Sequence, residues 1–138
     1  MKQSFYSGKG IGVAILDTGI YPHMDFDRRI CAFVDFISYK KQPYDDNGHG
    51  TCVAGILAGS GAASGGRYRG MAPGCRMAAL KVLDRFGNGN KEDVLQAFRW
   101  ILRNRENYNL RIVNISVGTT YRTRNEPDVL VQGVERLW

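Results

Sequence analysis

The feature that most constrains the fold is a short apolar run at 11–16, which shows no polar alternation and stops at Asp17. Strands buried on both faces of a parallel sheet have this pattern. Helical and strand-like segments then follow one another along the chain, which predicts an α/β fold with a mostly parallel sheet and helices on both faces. Further strands are predicted at 29–36, 77–83 and 111–117, and helices at 49–58, 91–105 and 127–137.

The clearest helix has a recognisable beginning. Asn90 is a favourable N-cap residue, and Asp93 lies in the first turn, where the helix dipole favours a negative charge. Pro127 suits the first turn of the final helix, which reaches the end of the chain with no strand after it. Because a crossover helix normally leads to another strand, we expect residues 1–138 to be the N-terminal portion of one domain, truncated before its last strands and helices.

Composition excludes several classes of protein. Hydrophobic residues make up 43% of the chain, which argues against disorder. The net charge of +6 comes from scattered basic residues that are not interleaved with aromatic ones, so we expect no nucleic-acid partner. No apolar run approaches membrane-spanning length, and the first residues lack the apolar centre of a signal peptide. The sequence therefore does not decide the cellular compartment. The protein is expected to be cytoplasmic if the sequence is as written and secreted if a precursor segment has been removed.

Three cysteines, Cys31, Cys52 and Cys75, form no disulfide framework, because their number is odd and they are sparse. The sequence contains no CxxC pair, which excludes a zinc ribbon. Cys52 opens the apolar run at 52–57 and is predicted to be a small buried hydrophobic residue.

Asp17-Thr18-Gly19 and His49-Gly50-Thr51 are the motifs that carry chemistry. Asp17 follows a strand and His49 begins a helix, so both are expected at the edge of the sheet where the parallel strands end. There the carboxylate would fix the tautomer of the imidazole, and the imidazole would exchange protons with a substrate. We expect the helix N-terminus to keep His49 neutral.

Each motif has a simpler interpretation when taken alone. The first could be an Asx turn, and the histidine could be a cap or a packed ring. Asp-Thr-Gly also occurs in aspartic proteases, but their chemistry needs paired carboxylates and the sequence holds one copy. A nucleotide-binding loop at 8–12 is a further alternative, although these glycines precede the first strand instead of following it.

Five segments in a fixed order resemble the subtilisin-like serine proteases (subtilases, peptidase S8). The most specific is His-Gly-Thr-Cys-Val-Ala-Gly at 49–55, and together the matches span almost the whole chain. The chain therefore resembles the N-terminal part of the catalytic domain of a serine endopeptidase with an Asp-His-Ser triad. The matching segments are 13–20, 46–56, 68–73, 81–84 and 113–118.

The resemblance assigns roles to individual residues. It implies that Asp17 orients the imidazole and that His49 is the general acid and base. It also implies that residues Ser116, Val117 and Gly118 pair with the backbone of a polypeptide substrate, while Leu83 and the turn at Gly87 form the opposite wall of the cleft. Glycine at 118 is physically reasonable, since a side chain would obstruct a peptide lying against the backbone.

Two parts of the family pattern are absent from this sequence. The family's nucleophile lies in a Gly-Thr-Ser motif, and its oxyanion asparagine lies in an Ala-Ala-Gly-Asn-like segment. Ser60 and Ser64 lack the context of a nucleophile, and Asn114 precedes the cleft segment. We therefore expect the chain to be inactive alone, with the missing C-terminal part of the domain as a partner. A non-catalytic relative that keeps the peptide cleft is the alternative.

The resemblance requires no cofactor, but it leaves calcium open. Some of these proteases bind calcium through an aspartate soon after the first motif, and Asp25 resembles that position. A calcium site needs six or more oxygen ligands, whereas the sequence offers this one candidate and no acidic cluster at 59–70. A solvated loop aspartate is the favoured interpretation of Asp25.

Overall fold

The computed structural model describes residues 6–118 and 129–137. Its four strands pair in parallel in the order β2-β3-β1-β4, so that β1 has a neighbour on each side. This topology confirms the predicted α/β class. The strands are β1 (Gly12–Asp17), β2 (Ile30–Asp35), β3 (Arg76–Lys81) and β4 (Leu110–Ile115).

Helices cover both faces of the sheet, also as predicted. One of them packs on the first face, and the other two pack on the second face and on each other. A short 3-10 helix, Ala62–Ser64, lies in the glycine-rich loop. The helices are α1 (His49–Ala58), α2 (Lys91–Tyr108) and α3 (Val129–Leu137).

The central strand β1 shows why its sequence lacks alternation. Val13 and Ile15 point into the core beneath α1, while Ala14 and Leu16 point into the core beneath α2, where they join Phe98. These strand residues are all at most 2% exposed. A strand with two buried faces needs apolar side chains at every position, and the run at 11–16 has that composition.

Several element ends differ from the predicted ones, and two of these differences have a clear physical cause. β3 ends at Lys81 instead of 83, because the N–H groups of Val82 and Leu83 both donate to the carbonyl oxygen of Asp17, at 3.0 and 3.2 Å. α2 continues past 105 to Tyr108, whose ring stacks on Trp100 with centroids 5.7 Å apart. The predicted N-cap is confirmed, since the Asn90 side chain accepts a 2.8 Å hydrogen bond from the N–H of Asp93.

The predicted burial of Cys52 is wrong. Its thiol is exposed, because α1 buries Gly50, Ala54 and Ala58, and position 52 lies on the opposite side of the helix. The apolar run at 52–57 therefore does not mark one continuous buried surface.

Two other expectations concern the start of the last helix and membrane-spanning segments. Pro127, predicted to start the last helix, lies outside the described residues, and α3 is described from Val129. Within 6–118 and 129–137, no helix combines the length and the apolar character needed to cross a bilayer.

Candidate active site

Asp17 ends β1 at the carboxyl edge of the sheet, and its side chain is only 1% exposed. Its Oδ1 accepts hydrogen bonds from the N–H of Thr18 at 2.7 Å and from Nδ1 of His49 at 2.8 Å. Its Oδ2 is buried and has no hydrogen-bond partner within the described part of the chain. The carboxylate is thus held inside the protein with one oxygen aimed at the imidazole.

His49 is the first residue of α1, and its side chain is 54% exposed. The N–H of His49 donates to Oδ1 of Asn47 at 3.1 Å, and Gly48 before it has a left-handed φ of 101°. This turn directs the imidazole back to Asp17 while the ring stays accessible from solvent. The two residues are 32 positions apart in the sequence and meet because a strand end and a helix start share one edge of the sheet.

The hydrogen bond to Asp17 raises the pKa of His49 above its ordinary value, and the negative charge of Asp17 adds to the effect. The prediction that the helix N-terminus keeps this ring neutral is therefore wrong in direction. The carboxylate acts on the imidazolium at hydrogen-bond distance and so favours the charged form of the ring. The geometry favours an imidazole that accepts a proton readily.

Asp45 organises the turn before His49, a role that was not predicted from the sequence. Its carboxylate accepts hydrogen bonds from the hydroxyl of Thr18 at 2.9 Å, from the N–H of Gly48 at 2.8 Å and from the N–H and hydroxyl of Thr51 at 2.8 and 2.5 Å. Burial alone would raise the pKa of Asp45, but the hydrogen bonds from Thr51 and Gly48 outweigh it and lower the pKa to about 2. The missed signal was an acidic residue shortly before a helix start.

A cleft of about 470 Å³ lies beside the carboxyl ends of β3 and β4. It brings together all five residues that were predicted to contact substrate. An added Cβ at Gly118 would meet no atom within 4 Å, so the backbone there faces open space. The cleft is lined by Leu83, Gly87, Asn88, Gly89, Asn90, Lys91, Val94, Ser116, Val117, Gly118 and Leu130.

Asp25 does not line the cleft, and its side chain binds the backbone of the glycine-rich loop that contains the 3-10 helix. Its Oδ1 accepts a 2.7 Å hydrogen bond from the N–H of Ala63, and its backbone carbonyl accepts one from Arg29. No group of three or more His, Cys, Asp or Glu residues suited to a metal occurs within 6–118 and 129–137. The one carboxylate considered for calcium therefore already holds the 3-10 segment.

The glycine-rich stretch at 8–12 lies at the amino end of β1, away from Asp17. A phosphate-binding loop must follow a strand and lead into a helix, whereas this segment leads into β1. The arrangement disfavours the nucleotide-binding alternative.

The structure places this chain among the α/β proteins with a parallel sheet and an Asp–His pair at its carboxyl edge, and comparison with known proteins shows the family. The chain belongs to the subtilase family, whose model (Peptidase S8) matches residues 8–136. It is 42% identical to the serine protease AprX of Bacillus subtilis (strain 168) over 96% of its own length, and 35% identical to subtilisin Savinase of Lederbergia lenta over 82%.

A solved structure shows the same architecture. A cold adapted subtilisin-like serine proteinase superposes with a TM-score of 0.76 at 26% identity, covering 96% of this chain and 44% of that one. The chain spans 31% of AprX and 39% of Savinase, so it corresponds to the part of these relatives that it matches and not to their whole length.

Proposed function

We propose that this chain is the Asp- and His-bearing part of a serine endopeptidase that hydrolyses polypeptides. The observation that carries the proposal is the 2.8 Å contact between Asp17 Oδ1 and His49 Nδ1, in which a buried carboxylate holds an accessible imidazole. Family membership and the names of the relatives support it, since several are serine proteases.

In the proposed reaction, His49 removes the proton from a serine hydroxyl as its oxygen bonds to the peptide carbonyl carbon. The imidazolium is stabilised by Asp17 and returns the proton to the leaving amine as the C–N bond breaks. Water then adds to the acyl-enzyme by the same route and releases the acid. These steps combine covalent catalysis by the serine with proton transfer through His49, and they require no cofactor.

The substrate is proposed to lie in the cleft as an extended strand. Ser116–Gly118 continues the line of β4 and offers backbone groups for pairing, while Leu83 and Gly87 face it from the other side. Pairing through the substrate backbone would not depend on the substrate side chains, which suits a protease of broad specificity. Asp17 and His49 do not line this cleft themselves.

The nucleophile is proposed to come from outside these 138 residues. Within the described residues, no serine hydroxyl hydrogen-bonds to His49, and Ser116 instead accepts a 2.9 Å hydrogen bond from the Asn114 amide. The same observation favours a second function, in which a relative without a nucleophile binds peptides and does not cleave them.

The test uses the complete polypeptide that contains this chain, with casein as substrate and a fluorophosphonate as active-site probe. His49→Ala is expected to lower kcat by roughly 10⁶-fold, the scale of removing the triad histidine in subtilisin. His23→Ala is the matched control, because His23 is the other histidine of the sequence and lies outside the site. Saturable peptide binding without labelling or turnover would establish the second function instead.

A further inference from the structure

Lys81, the last residue of β3, carries a buried ammonium group that the proposed reaction does not use. Its side chain is 1% exposed, and it stands in register with Asp17 on the neighbouring strand. Burying a charged amine is costly unless it is paired and hydrogen-bonded, so a lysine at this position needs specific partners.

The ammonium donates three hydrogen bonds, one to each of three separate segments. Its acceptors are the carbonyl of Thr18 at 2.5 Å, Oδ1 of Asp46 at 2.8 Å and the carbonyl of Leu83 at 2.9 Å. Thr18 directly follows Asp17, Asp46 lies in the turn before His49, and Leu83 lines the cleft. One nitrogen atom therefore connects the loop after Asp17 (the Asp17 loop), the turn before His49 (the His49 loop) and a wall of the cleft.

The remaining side of the ammonium faces an aromatic ring. Nζ lies 5.1 Å from the ring centroid of Tyr44, whose hydroxyl donates a 2.7 Å hydrogen bond to Oδ2 of Asp35. Because an ammonium has three protons, the three acceptors satisfy all of its hydrogen-bond donors. The Tyr44 ring adds a favourable cation–π contact on the remaining side. An apolar side chain here would leave the Thr18 and Leu83 carbonyls without this donor.

We propose that Lys81 is a positioning residue that holds the Asp17 loop and the His49 loop at hydrogen-bond distance from each other. Its importance for catalysis rests on the proposed function, but its effect on the Asp17–His49 contact exists whether or not the protein cleaves peptides. The readout is therefore the contact itself and not activity.

The experiment follows the ring protons of His49 by NMR in the wild-type protein, in Lys81→Met and in Lys81→Arg. The sequence contains two histidines, so His23 serves as an internal reference in the same spectra. In Lys81→Met we expect the low-field Nδ1 proton signal of His49 to be lost and the pKa of His49 to fall, because the hydrogen bond to Asp17 is broken.

If Lys81 acted through its charge alone, the pKa of His49 would change in the opposite direction in Lys81→Met. Removing a cation near an imidazole favours the imidazolium, so the pKa of His49 would then rise in Lys81→Met. The carboxylates of Asp17 and Asp45 also act on this ring and are unchanged in the variants. A rise in the pKa of His49 with its Nδ1 signal retained would overturn the positioning role.

Lys81→Arg keeps the charge and changes the geometry. A planar guanidinium cannot place its donors where three converging acceptors meet one nitrogen, so we expect the Nδ1 signal to weaken here too. The matched control is Lys40→Met, which removes the exposed cation 4.5 Å from the same Tyr44 ring and should leave the signal unchanged. A wild-type signal in Lys81→Arg, or an equal loss in Lys40→Met, would refute the proposal.

Discussion

Gly50 lies so close to Gly19 that a Cβ added at position 50 would meet the Gly19 carbonyl oxygen at 2.2 Å. The added Cβ at position 50 would also lie 3.1 Å from the Cβ of Asp17. The glycine that follows the histidine and the glycine of the aspartate motif are thus parts of one contact between two backbones. This contact lets α1 begin near enough to β1 for His49 to reach Asp17.

Gly50→Ala should therefore destabilise the fold and separate Asp17 from His49. Backbone atoms cannot move aside as a flexible side chain can, so we expect a loss of about 1–3 kcal/mol in the free energy of unfolding, measured by urea denaturation. Gly55→Ala in the same helix is the control, because a Cβ there meets nothing within 4 Å. It should stabilise by about 0.5–1 kcal/mol, and equal effects of the two variants would contradict the argument.

Asp17→Asn should lower the pKa of His49 towards 6.5, since the carboxylate is what raises it. A group whose folded pKa is raised stabilises the protein fully below its unfolded pKa, and this contribution disappears as the pH rises through the folded pKa. The stability difference between wild type and variant should therefore be largest below about pH 6.5 and shrink at higher pH. Urea midpoints at several pH values measure it, and a difference that grows with pH would count against this explanation.

Asp45→Asn should loosen the turn before His49, because an amide cannot accept the same set of donors as a carboxylate. We expect a loss of about 1.5–3 kcal/mol at neutral pH. The depressed pKa of Asp45 stabilises the fold above its unfolded value of 3.8, and that contribution is lost as the pH falls towards about 2. Acid titrations of stability should be steeper in wild type than in Asp45→Asn, and Asp27→Asn, which changes an exposed carboxylate, should resemble wild type.

Lys91 should influence which substrates are preferred, if the cleft binds peptides as proposed. It lines the cleft, and its side chain makes no ion pair or hydrogen bond within the described part of the chain. Its charge at the start of α2 opposes the helix dipole. An acidic substrate side chain nearby would relieve this repulsion. Lys91→Glu should lower kcat/KM for acidic relative to basic peptides by about 2- to 5-fold, whereas Arg103→Glu, on the same helix but outside the cleft, should not.

Cys52 should be the reactive thiol of the protein. It is exposed on α1, whereas burial raises the pKa of both Cys31 and Cys75 and so reduces their thiolate fraction. Ellman's reagent should titrate one thiol per native chain rapidly, and Cys52→Ser should remove that fast phase. Rapid reaction of two thiols in the native protein would show that a second cysteine is accessible.

Much of the fold could be predicted because it depends on local patterns. The apolar run at 11–16, which lacks alternation, predicted β1, and Asn90 marked the start of α2. Asp17 and His49 were recognisable because each sits at the end of an element, and ends of parallel strands and their helices meet at one edge. Cys52 was misjudged because an apolar run in a helix spreads around all its sides.

The supporting groups of the site could not be predicted in the same way. Lys81 bonds to Thr18 across 63 positions and Thr18 bonds to Asp45 across 27, and no periodicity links such distant residues. The direction of the His49 pKa shift was missed for a related reason. It depends on which of two opposing effects acts at shorter range, and only the 2.8 Å contact decides that.

The strand order β2-β3-β1-β4 places β3 and β4 on opposite sides of β1, and residues that follow each of these two strands line the cleft. Its two walls continue from β3 and β4, which lie on either side of β1, so they are separated by two strand spacings, or about 10 Å. One extended peptide needs about one spacing on each side to pair with both walls. If the cleft binds peptides as proposed, this spacing suits a single extended chain and not a helix, because a helix is about 10–12 Å wide with its side chains and leaves no room for pairing.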